Sequence, residues 1–238
     1  MRTAEKRVMN TRMAKKGECM RVISIVSLVL LLATSVNAEL VTYDYSKAMT
    51  STNWTQTFAV QQFNPALGTL NSVTIDLGGN LSQTFRFENM STSSGGTITF
   101  SNGQTTGCKY ELKYTGGSNL LLLDILNTPS YSFGVYDGAM DFGGTSGKTA
   151  IAGQIDSFFD VFTDISTLSA FTGTGTINLD AIATGRSYWQ TTSGNIIVGV
   201  STMAGTDISV TYDYTIPEPA TICLLGLGAL GLLRKRRA

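Results

Sequence analysis

The sequence predicts an all-β domain, an antiparallel β-sandwich of jelly-roll-like form, flanked by an N-terminal signal peptide and a short C-terminal apolar helix. Three observations predict it. Short runs alternate apolar and polar residues with a period of two, as half-buried strands do. Pairs of turn residues separate these runs at intervals of about ten residues. No long segment has a 3.6-residue period, and a composition with 25 Gly, only 14% charged residues and many Thr, Ser and Asn is that of a β-rich exported protein.

Taken in order, the strand-like runs are VTYDYS (41–46), WTQTFAVQQF (54–63), LNSVTIDL (70–77), LSQTFRFEN (81–89) and GTITFS (96–101). They continue with CKYELKY (108–114), NLLLLDIL (119–126), GTINLDAIA (175–183), NIIVGVST (195–202) and DISVTYDYT (207–215). Gly78-Gly79, Gly95-Gly96, Asn102-Gly103, Gly116-Gly117 and Ser193-Gly194 read as the turns between them. Residues 151–172 are ambiguous and leave room for one helix. VTYDYS near the start and VTYDYT at the end are almost the same string. Both place tyrosines on one face, so the first and last strands are candidates to lie side by side.

The two ends differ from this domain. Met20-Arg21 is a basic start, Val22 to Leu32 an apolar run, and Val36-Asn37-Ala38 supplies small residues where a signal peptidase reads. This predicts export with cleavage between Ala38 and Glu39, and Met20 reads as a natural start. The domains are thus a signal segment 1–38, an exported domain 39–216 and a tail 217–238. In the tail, Ala220 to Leu233 is apolar or small. As a helix it spans roughly 21 Å at ~1.5 Å per residue, short against a hydrocarbon core of ~30 Å. Arg234, Lys235, Arg236 and Arg237 follow and would stay on the cytoplasmic side. The expectation is a transient inner-membrane contact through this segment.

Charge and absences exclude several functions. Between residues 39 and 216 there are six basic and fourteen acidic residues, a net of −8, which repels phosphate backbones and argues against a nucleic-acid partner. The chain has no His, which removes Ser-His-Asp and Cys-His catalysis and His-ligated zinc. Of the three cysteines only Cys108 lies in the domain, so no disulfide forms within it; the thiol is either buried and inert or able to pair between chains.

Pro217-Glu218-Pro219, the Leu- and Gly-rich apolar segment and the basic end together resemble the PEP-CTERM sorting signal. The resemblance implies recognition by an exosortase, a membrane transpeptidase-like enzyme, in a bacterium with two membranes. It further implies a destination at the cell surface or in an exopolysaccharide matrix. A second resemblance covers about residues 40–215. FNPALGTLNSVTIDL (63–77), FRFEN (85–89), YDGAMDFGGTSG (136–147), FTGTGTINL (171–179), SGN (193–195) and the closing VTYDY are similar to the choice-of-anchor E domain. That family carries different anchors on one domain; the resemblance implies location and architecture and lends no catalytic residues.

Several motifs are decoys. GLGALG (226–231) matches GxGxxG but has neither a strand before it nor chain enough after it. GGTSGKT (143–149) lacks the first glycine of a phosphate loop, position 142 being Phe, and DFG (141–143) has no kinase companions. Both read as turn glycines. Three sequons, at Asn53, Asn80 and Asn89, carry little weight in a bacterium.

Two groups remain as candidate sites. Asp156, Asp160 and Asp164 recur every four residues, and with Asp137 and Asp141 they are candidate oxygen ligands for calcium, the only cofactor the sequence suggests. The simpler reading is a solvated acidic edge, since EF-hand and repeat-type calcium patterns are absent. Trp54, Tyr188 and Trp189 are candidate platforms for sugar stacking, although aromatics in β-proteins more often serve the core. The expected function is therefore a non-enzymatic exported surface or matrix protein. Its partners would be signal peptidase and an exosortase, with exopolysaccharide as a further partner. A carbohydrate-binding module is the first alternative and a carboxylate-based glycosidase the second.

Overall fold

The computed structural model describes residues 38–101 and 104–216. Nearly all of them belong to one compact unit, Leu40–Tyr214. The strands are β1 (Ala38–Ser51), β2 (Trp54–Gln61), β3 (Thr69–Asn89), β4 (Gly96–Thr99), β5 (Gly107–Tyr114), β6 (Asn119–Leu126), β7 (Ser130–Phe133), β8 (Gly147–Phe162), β9 (Thr176–Arg186), β10 (Gln190–Thr191) and β11 (Ile196–Thr215). One short helix, α1 (Ile165–Phe171), follows β8. The signal segment before Ala38, the Asn102-Gly103 turn and the tail from Pro217 lie outside the described residues.

The strands form two four-stranded sheets, β1-β11-β3-β8 and β2-β9-β5-β6, and a three-stranded sheet β10-β4-β7. The pairs β3–β8, β2–β9, β5–β9, β5–β6, β4–β7 and β10–β4 are all antiparallel. The two larger sheets share one core. Val73, Ile75, Leu77 and Leu81 of β3 and Ile208, Val210 and Tyr212 of β11 belong to it, as do Tyr110 and Leu112 of β5 and Leu179 of β9. These positions alternate along each strand because successive side chains point to opposite faces. A second core contains Phe85 and Phe87 of β3, Ile98 and Phe100 near β4, and Phe133 of β7. The 21-residue β3 thus supplies side chains to both cores.

The strand assignments hold where alternation is clean, and β1 and β11 are hydrogen-bonded neighbours. Three assignments change. Gly78-Gly79 is not a turn but the middle of the continuous strand β3. A Cβ on Gly79 would stand 2.8 Å from both Ile125 Cδ1 and Tyr110 Cε2, so glycine is there to let the other sheet approach. Likewise 195–202 and 207–215 are one strand, β11. Residues 151–172, read as ambiguous, contain most of the long strand β8 and all of α1. β8 escaped notice because it is the outermost strand of its sheet and exposes residues on both faces, which destroys alternation.

Candidate functional site

The sorting segment follows directly on β11, whose last residue is Thr215. Two side-chain hydrogen bonds, Thr42–Thr211 at 2.8 Å and Ser209 to Asp44 at 2.7 Å, set β1 against β11 in antiparallel register. The start of β1, where cleavage between Ala38 and Glu39 is expected, and the end of β11 therefore lie at the same end of this sheet. Pro217, Glu218, Pro219 and the basic residues 234–237 are outside the described residues.

The carboxylates singled out as calcium candidates are mostly engaged by their own backbone. Asp137 accepts from the amides of Ala139 and Thr145, each at 3.1 Å, and these bonds hold its carboxyl below the ordinary range. Asp164 caps α1, accepting from the Ser166 hydroxyl and the Thr167 amide, which bring its pKa down to about 2. Asp156 and Asp160 accept from the amides of the next residues, Ser157 and Val161, each at 2.8 Å. Among the described residues no three Asp, Glu or Cys side chains come together in a way that could hold a metal ion.

The aromatic candidates separate. Trp54 packs on the main core, donates its indole N–H to the Ala204 carbonyl at 3.2 Å and lies under Lys47, so its ring is already occupied. Tyr188 is half-buried, with its backbone pinned at both ends to the Thr106 hydroxyl. Trp189 is exposed at 41%. Cys108 is fully buried, and burial pushes its thiol up to about 11, so it presents no reactive thiolate at neutral pH.

The DFGGTSG turn is held from below. The buried Glu88 carboxylate accepts from the Phe142 amide at 2.8 Å and the Ser146 hydroxyl at 2.5 Å. Beside it the buried Asn89 donates to the carbonyls of Ser94 and Gly134 and accepts from Ser91 N–H and the Ser193 hydroxyl. Fully satisfied polar groups of this kind fix loop geometry. The resulting turn, with Phe142 and Gly144 at positive φ, is a built loop rather than a phosphate cradle.

Sequence reasoning did not find the hollow on the other face of the β1-β11-β3-β8 sheet, turned away from the core. It measures about 430 Å³ and is lined by Asp44, Asp76, Gly78, Ser157, Asp207 and Ser209, among others. Asp44 accepts from Ser209, and Asp207 from Asn80 at 3.1 Å. Asp76 Oδ1 is buried and has no hydrogen-bond partner. No local motif marks these residues. The one available clue was that an outward-facing Asp sits between the two tyrosines of VTYDYS.

Residues 215–237 match the PEP-CTERM protein-sorting motif. The motif marks an exported protein that an exosortase sorts to the cell surface. No curated protein matches the chain. Among solved structures, similarity extends to infectious bursal disease virus Gx strain (13% identity, TM-score 0.20, 78% of this chain and 38% of that one). It extends also to the STIV MCP (10% identity, TM-score 0.28, 79% and 51%). A third is a family 35 carbohydrate binding module from Clostridium thermocellum (10% identity, TM-score 0.21, 71% and 97%). The chain spans about half or less of the first two of these chains.

Proposed function

We propose that this chain is a non-enzymatic surface or matrix protein. In this reading a jelly-roll-like β-sandwich of choice-of-anchor E type is exported by a signal peptide, held briefly at the inner membrane by its tail, and released by an exosortase. Its destination is the exopolysaccharide matrix of a two-membrane bacterium. The observation that carries the reading is the sorting motif beginning at residue 215, where the last strand of the folded unit ends. An enzyme acting there could cut without disturbing the core. The non-enzymatic part is supported by the engagement of Asp137, Asp156, Asp160 and Asp164 with backbone amides, which leaves them poorly placed as an acid/base pair.

Mass spectrometry of both termini, on protein from membranes and from medium separately, tests this. The expected result is an N-terminus at Glu39 and, in the released fraction, a C-terminus near Pro217. An intact RKRR end in every fraction would overturn the sorting claim. Release of reducing ends from polysaccharide by the purified protein would overturn the non-enzymatic one.

A further inference from the structure

We infer that the hollow over Gly78 is a binding site for a neutral, hydroxyl-rich glycan. The inference concerns the folded unit alone and goes beyond the sorting reading; it stands whether or not the tail is removed.

The hollow exists because residue 78 has no side chain. A Cβ added there would meet nothing closer than the Asp207 carbonyl at 3.5 Å, so the space above it is open rather than filled by a neighbour. Its walls are hydrogen-bonding groups from four adjacent strands: Asp44, Asp207, Ser209, Asp76 and Ser157. The orphaned Asp76 Oδ1 is the strongest indication of a ligand. A buried acceptor without a donor costs about 1–3 kcal/mol, and such groups are rare in folded proteins. A turn of the Asp76 carboxyl toward the hollow would let a donor bound there remove that cost.

The donor is either a cation or a hydroxyl. A chelated cation needs several carboxylates converging, and no such trio occurs among the described residues. A sugar suits the spread arrangement better. Its hydroxyls can donate to separated carboxylates and accept from Ser157 and Ser209 at once. Phe159 completes the argument. It is the cross-strand partner of Asp76, so both project from the same face, and it remains 62% exposed. An exposed ring beside carboxylates offers a pyranose an apolar platform for its C–H face and acceptors for its hydroxyls. Asp44, Asp76 and Asp207, spread around the hollow, each add negative charge that repels uronates and phosphates, so the ligand is neutral.

The test is affinity electrophoresis of the protein, recovered from membranes or from medium, through gels containing neutral glucan, mannan, xylan, the producing organism's own extracellular polysaccharide, or polygalacturonate. Retardation by at least one neutral glycan and none by polygalacturonate is expected. Gly78→Val, which fills the hollow, and Phe159→Ala should each weaken binding tenfold or more while the thermal midpoint stays within a few degrees. Asp76→Ala is the second probe of the same contact. Failure of every neutral glycan would overturn the inference, as would retention unchanged in Gly78→Val and Phe159→Ala. Retention lost in Trp189→Ala instead, or abolished by a chelator, would also overturn it. Termini processed as described above would leave the sorting reading intact in each of these cases.

Discussion

Tyr45 and Tyr212 hold the two backbone polar groups of one residue. The Gln61 N–H donates to the Tyr45 hydroxyl at 2.7 Å, and the Tyr212 hydroxyl donates to the Gln61 carbonyl at 2.7 Å. Gln61 is the last residue of β2, in the opposite sheet. The two nearly identical strings VTYDYS and VTYDYT therefore act together, one supplying an acceptor and the other a donor. Tyr212 is fully buried, whereas Tyr45 is partly exposed. Tyr212→Phe should cost about 1–3 kcal/mol by leaving a part-buried carbonyl without the phenol and an empty spot beside a buried ring, and Tyr45→Phe about half that. Urea denaturation of each variant checks both, with equal losses counting against the burial argument.

Much of this was legible in the sequence, and its limits are physical. The repeated tyrosine string pointed to paired terminal strands because period-two alternation is a local property. The clasp on Gln61 was not legible, since it depends on a strand about 150 residues from Tyr212. The acidic row at 156, 160 and 164 was visible, but its uses were not: two residues lie on a strand and the third caps a helix. Spacing alone does not reveal that the strand ends between them.

The Gly78-Gly79 pair gives a sharper test of the same limit. Locally the two glycines are equivalent turn formers, yet the opposite sheet touches only one of the positions. Gly79→Ala would push a methyl against Tyr110 and Ile125 at 2.8 Å, and overpacking of this kind costs about 1–3 kcal/mol. Gly78→Ala meets no atom within 3.5 Å and should be neutral or stabilising by up to about 1 kcal/mol, since alanine loses less backbone entropy. Thermal melts should show a lowered midpoint for Gly79→Ala and an unchanged or raised one for Gly78→Ala. A turn at 78–79 would instead make both variants destabilising.

The stability–pH profile follows from groups at both ends of the scale. Burial raises the phenols of Tyr110, Tyr114 and Tyr212 above the ordinary 10.0. Their contribution is complete below pH 10.0 and is lost as pH climbs toward the raised values, because the unfolded chain ionises first. The tyrosinate absorbance of these three should therefore appear together with unfolding rather than before it. Asp164 works in reverse: lowered from 3.8 to about 2, it stabilises the fold above pH 3.8 and loses that effect as pH falls through about 2. Asp164→Asn keeps a capping oxygen but takes up no proton. Its urea midpoint should fall less steeply than the wild type's between those two pH values.

The outer edge of β8 makes the last prediction. Among the described residues β8 pairs only with β3, and it exposes Ile151, Ile155, Phe158, Phe159 and Val161. An apolar free edge invites strand addition from another molecule. Here Asp156 and Asp160 fold back onto the amides of Ser157 and Val161. In an antiparallel pair only alternate residues bond to the neighbour, so these amides belong to the row turned away from β3. The carboxylates occupy donors that an incoming strand would need and place negative charge in its path. Asp156→Ala with Asp160→Ala removes both obstacles at exposed positions, so folding should be little affected. Sedimentation velocity should then show concentration-dependent association of the double variant under conditions where the wild type stays at its smallest species. Association in the single variants should be intermediate, because each leaves one amide blocked. A double variant no more associated than the wild type would mean that the strand's twist or its neighbours, not the two aspartates, protect this edge.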